Sequence, residues 1–71
     1  MDINQAIKNV SNLISSKEMM LKQTLLDCKF ATGENLVIER ATVAFLKTSI
    51  IELHTIIKDL QDVKNSCDEH I

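Results

Sequence analysis

The side chains of this 71-residue chain best suited to chemistry are His54, Cys28, Cys67 and His70. An imidazole works as a general base when a carboxylate orients it and a nucleophile stands within about 3 Å. Glu52 is two residues from His54 and points to a different helix face, so the local sequence supplies no such constellation. Cys67 and His70 are three residues apart, and two donors fall short of the four that hold a structural zinc ion. Cys28 sits near the turn at the end of the first helix and Cys67 near the far end of the second, so an antiparallel hairpin separates them beyond the roughly 7 Å that a disulfide spans. The expectation is therefore no catalytic, cofactor or metal site, and a protein that is not an enzyme.

The elements that carry these residues are helical. The composition is 45% hydrophobic with no Pro, one Gly and two aromatic residues, which favours long uninterrupted helices over turn-rich sheet. Asp2 is placed to cap a first helix, with Gln5 three residues later as the second half of a capping box. Steps of four and three then run through Ile3, Ile7, Val10, Ile14, Lys17, Leu21, Thr24 and Cys28; six of the eight are apolar, enough for one buried stripe that Leu25 widens. The only glycine, Gly33, can take the left-handed conformation that ends a helix. Thr32 or Asn35 can cap the next helix, with Glu34 near its positive end.

The second ladder is cleaner: Leu36, Glu39, Val43, Leu46, Ile50, Leu53, Ile57, Leu60, Lys64 and Cys67, eight of ten apolar. The reading is one all-α domain, an antiparallel two-helix hairpin with coiled-coil-like packing. Helix 1 spans about 3–29, the turn about 30–34 and helix 2 about 35–65, followed by a frayed tail over 66–71. At 1.5 Å per residue each helix runs roughly 40 Å, so the molecule is a rod. The polar seam residues Lys17, Thr24, Glu39 and Lys64 are candidates for setting register, or in the case of Lys17 for running its stem along the seam.

More apolar surface is present than two helices bury. Val37, Ile38, Ala41, Ala44, Phe45 and Ile51 fall opposite or beside the helix 2 ladder, and Met19, Leu26 and Phe30 point away from that of helix 1. The surplus gathers at the turn end. Contiguous apolar patches on small proteins usually mark contacts, so the expected partner-binding residues are Met19, Leu26, Phe30, Ile38, Phe45 and Ile51. Farther along, Glu52, Thr55, Asp59 and Asp62 make a solvated face flanked by Ile56 and Val63, and Arg40, Lys47 and Lys58 share another flank.

Function classes narrow by charge and hydropathy. Eight basic and ten acidic residues are dispersed to a formal net charge of −2, without the basic stripe that nucleic acid requires. No apolar run approaches the roughly 18 residues of a membrane span, and no secretory signal pattern opens the chain. Two cysteines without CxxC spacing suit a reducing compartment. A protein-binding hairpin in the cytoplasm is expected, pairing with itself as a homodimer when its partner is absent.

The segment Phe45-Leu46-Lys47-Thr48-Ser49-Ile50-Ile51-Glu52-Leu53-His54-Thr55-Ile56-Ile57-Lys58-Asp59-Leu60 resembles the second helix of the small co-chaperones of bacterial type III secretion needle subunits. Leu46, Ile50, His54, Asp59 and Leu60 fall where members of that family have like residues. The resemblance covers the turn and helix 2 best and helix 1 weakly. It implies a helical hairpin of bacterial virulence machinery that joins a tetratricopeptide-like chaperone, the two together holding the needle subunit monomeric. Two other readings share the architecture: the needle subunit itself, from which the turn without Pro and the polar tail depart, and a small regulatory or inhibitory helical protein.

Overall fold

A computed structural model describes residues 2–69. Helix α1 runs Ile3–Cys28 and helix α2 runs Gly33–Glu69. Side by side they form a rod of 58 × 16 × 15 Å, the antiparallel hairpin that the two ladders predict.

α1 starts at Asp2, whose extended backbone lets its carboxylate accept from the Gln5 backbone N–H at 2.7 Å. This is half of the expected capping box. The Gln5 amide donates forward to Asn9 Oδ1 at 2.8 Å instead of returning to the cap. α1 closes by tightening: Lys29 N–H donates to the Leu26 carbonyl at 3.1 Å, and the Asp27 carbonyl accepts from both Phe30 and Ala31, at 3.1 and 3.0 Å. The first two are i→i−3 bonds and the last i→i−4, and all use carbonyls that the helix end would leave without partners.

Gly33 does adopt the left-handed region, at φ 58°, but it stands at the start of α2 rather than the end of α1. Lys29, with ordinary right-handed geometry, caps α1. Thr32 thus immediately precedes α2, Glu34 lies in its first turn, and Asn35 is already inside the helix. At the other end α2 continues through Glu69, past the point where the sequence reading begins a frayed tail. After Gly33 the chain holds no residue that breaks a helix. His70 and Ile71 of that expected tail lie outside the described residues.

Every seam position of α1 is at least half-buried, and so is every seam position of α2 from Leu36 to Lys64. Among the described residues full burial is confined to Ile14, Thr24 and Leu46, the last with 1% exposure. Leu25, expected to widen the α1 stripe, is instead exposed, since a single facing helix covers little more than one ladder in width. The core is one residue deep.

Two cross-helix contacts bracket the register. The Lys17 ammonium lies 5.3 Å from the centre of the Phe45 ring, and His54 Nε2 lies 4.0 Å from Glu18 Oε1. Matched level by level from Cys28 opposite Glu39, the ladders put Lys17 across from Ile50 and Glu18 across from Ser49. Phe45 then lies five residues on the turn side of Lys17's level and His54 five residues beyond Glu18's, so the two contacts bracket this register evenly. On this matching α1 lies alongside residues 39–64 of α2, with residues 65–69 beyond its first turn. The polar seam residues do not meet one another: Lys17 reaches out of the seam to Phe45, and buried Thr24 donates its hydroxyl to the Met20 carbonyl of its own helix at 2.8 Å.

Candidate functional site

The residues read for chemistry do not converge. His54 and Glu18 are both mostly exposed, and their 4.0 Å separation exceeds a hydrogen bond. Helix periodicity does not reveal this carboxylate, because it comes from the other helix. Cys28 is a free, half-buried thiol at the turn end. Cys67 belongs to the far end of α2; its side chain, like His70, lies outside the described residues. Among the described residues no cavity opens and no three His, Cys, Asp or Glu side chains group as metal ligands. No helix of the structure is long and apolar enough to cross a membrane.

The six expected contact residues are all exposed, from Phe30 at 85% and Met19 at 73% to Ile51, Phe45, Ile38 and Leu26. The structure does not gather them on one plane. At about 100° per residue, Met19 and Leu26 project from the back of α1, and Ile51 from the His54 side of α2, about as far from the seam as Phe45 on the other side. Phe30 occupies the turn. Ile38 and Phe45 share a lateral flank, the one onto which Lys17 reaches.

That flank is more extensive than the six residues suggest. Lys17 and Glu18 are consecutive, so they leave α1 toward opposite flanks of the hairpin, and their contacts label the two sides. On the Glu18 side α2 presents Arg40, Lys47 and His54, a polar and largely basic edge. On the Lys17 side α2 presents Ile38, Phe45, Ile56 and Val63, and α1 adds Leu13 and Met20; all six are exposed. Sequence reasoning placed Ile56 and Val63 beside a solvated face and passed over Leu13 and Met20. The available signal is spacing: Leu13 and Met20, Ile38 and Phe45, and Ile56 and Val63 are each seven residues apart, although the series of Ile38 and Phe45 continues as Glu52 and Asp59.

Comparison of the chain with models of known protein families, with characterised proteins and with solved structures finds no match.

Proposed function

We propose that the hairpin is a non-catalytic protein-binding module of the kind it resembles, a co-chaperone that helps a tetratricopeptide-like chaperone hold a type III secretion needle subunit monomeric in the cytoplasm. The observation that supports this is the distribution of exposed apolar residues around the turn half of the rod: Met19 and Leu26 behind α1, Phe30 at the turn, Ile38 and Phe45 on one side of α2, and Ile51 on the other. A flat partner reaches only one of these sides. A concave groove of stacked helices encloses a rod about 15 Å thick and touches all of them.

The hairpin's own thin core fits the role. With burial concentrated at Ile14, Thr24 and Leu46, much of its apolar area is left for a partner to cover, so binding adds stability by mass action. The test is reconstitution of the chain with the tetratricopeptide-like chaperone and the needle subunit of its own host. A stable complex of the three, lost on Phe30→Asp with Phe45→Asp, is the expected result. Filaments grown by the chain alone identify it as the polymerising subunit, and indifference to both proteins overturns the reading.

A further inference from the structure

Charges that the sequence disperses are sorted by sign in the hairpin. The contact between Glu18 and His54 marks one flank of the rod, and that between Lys17 and Phe45 marks the other. On α2, Arg40 and Lys47 stand fourteen and seven residues before His54; on α1, Lys22 and Lys29 stand four and eleven residues after Glu18. Each interval is close to a whole number of helical turns, so these four cations share the Glu18 flank whatever the register between the helices. They are half of the eight basic residues of the chain. Nearby carboxylates face the other way: Glu52 is two turns beyond Phe45, and Asp27 two turns beyond Met20, both on the Lys17 flank.

Among the described residues nothing neutralises the four cations. All are exposed, and none has a carboxylate within 4.0 Å. Glu18 precedes Lys22 by four residues, the order that favours an ion pair along a helix, yet its carboxylate lies toward His54 instead. Nearer the seam than the cations are two apolar side chains, Leu25 of α1, 45% exposed, and Leu36 of α2, half-buried. The turn half of this flank is therefore a shallow apolar groove with a basic rim on each helix.

We infer that this groove seats an acidic amphipathic helix of another protein, lying against α1 and α2 as the third helix of a bundle. Spacing and charge both match. Lys22 and Lys29 are two turns apart, as are Arg40 and Lys47, about 10.5 Å in each case. A helix with Glu or Asp at heptad spacing presents carboxylates at the same interval, along the edges of an apolar stripe that Leu25 and Leu36 receive. Charged edge positions choose the partner, because a helix with basic edges meets the same rim with like charge. Nucleic acid fits the flank less well. The two aromatic rings of the chain, Phe30 and Phe45, lie at the turn and on the other flank, so no base stacks beside the cations.

The inference goes beyond the chaperone reading, and its test uses neither of the proteins named there. The probe is a synthetic helical peptide of about three heptads with Leu at the seam positions and Glu at the flanking ones, whose like charges keep it from pairing with itself. The control is the same peptide with Lys in place of Glu. The full chain is expected to bind the acidic peptide alone, with backbone amide shifts greatest around Lys22, Leu25, Arg40 and Lys47 and small around Leu13, Met20 and Ile56. Lys22→Gln with Lys47→Gln weakens binding by about tenfold or more, whereas Asn12→Glu with Thr48→Glu, on the backs of the two helices and equal in net charge, changes it less than about threefold. No binding, equal losses in the two double variants, shifts centred on the Lys17 flank, or binding of the Lys peptide overturns the inference. So does tighter binding of duplex DNA or of phosphatidylserine vesicles, or self-association of the chain that the double Gln variant abolishes. Because the shifts are read on the unaltered chain, the result holds even where a variant fails to fold.

Discussion

Lys17 of α1 holds its ammonium 5.3 Å from the centre of the Phe45 ring of α2, joining the rim of the seam to the side chain that otherwise looks most available to a partner. A cation over an exposed aromatic face contributes about 0.5–1 kcal/mol. Phe45→Ala therefore destabilises the free hairpin by about that amount, visible as a small drop in midpoint at unchanged helicity. The same substitution weakens partner binding by roughly thirtyfold or more if Phe45 anchors the interface. Lys17→Met separates the two effects: it removes the cation, keeps an apolar stem and leaves the Phe45 anchor in place, so partner binding stays near that of the parent. Equal loss of binding in Phe45→Ala and Lys17→Met assigns the role to the pair rather than to the ring.

Leu46 is the most deeply buried apolar side chain among the described residues. Truncation to Ala costs about 2–5 kcal/mol at such sites, against a total of a few kcal/mol expected for a chain of this size. Leu46→Ala is thus expected to abolish a cooperative thermal transition, and Leu53→Ala, half-buried, to lower the midpoint without abolishing it. Circular dichroism melts of both variants at one concentration make the comparison. A hairpin that melts above about 90 °C, the hyperstable range, contradicts a core one residue deep.

Gly33 combines φ 58° with open space, since a Cβ built there meets nothing within 4 Å. The cost of a side chain at this position is then conformational alone. Gly33→Ala is expected to destabilise by about 1–2 kcal/mol, and Gly33→Asn by less, because asparagine visits the left-handed region more readily. Chemical denaturation of the two variants orders them; an equal loss in both shows that the turn rearranges instead of bearing the strain.

Thr24 is buried, and its hydroxyl bonds only back to the Met20 carbonyl of its own helix. That carbonyl belongs to the helix ladder as well, so losing the hydroxyl leaves no buried group without a partner. Thr24→Val should accordingly be neutral or raise stability by up to about 1 kcal/mol. A loss of more than this in a urea titration means that the hydroxyl serves the packing of α2.

The periodicity of single helices carries the fold. Ladder positions from Ile3 to Lys64 are the ones the structure buries, and Asp2 is the cap that its position before Ile3 implies. What a single helix cannot show is the other helix. The Lys17 and Phe45 contact and the Glu18 and His54 contact both depend on register between helices, which intrahelical spacing leaves free. The exposure of the six expected contact residues was legible for a related reason: one helix covers one stripe, and whatever lies beyond it stays outside. Their scatter over several sides is not, because the spacing within one helix says nothing of how its flanks sit against the other. Gly33 was read correctly in conformation and misassigned in position, since a left-handed glycine serves the end of one helix and the start of the next equally well when the turn is four residues long.

The unequal lengths of the two helices, 26 and 37 residues, give the rod a gradient along its axis. Backbone amides of α2 between Val43 and Leu60 are shielded by a helix alongside, whereas those after Lys64 are held by their own turn of helix alone. Deuterium uptake should therefore be slowest at the middle of α2 and rise steeply beyond Lys64, where the peptide opens without disturbing the seam. Residues 65–69 consequently tolerate a fused peptide or a surface tether, while the same addition inserted between Ile14 and Leu21 displaces the whole ladder.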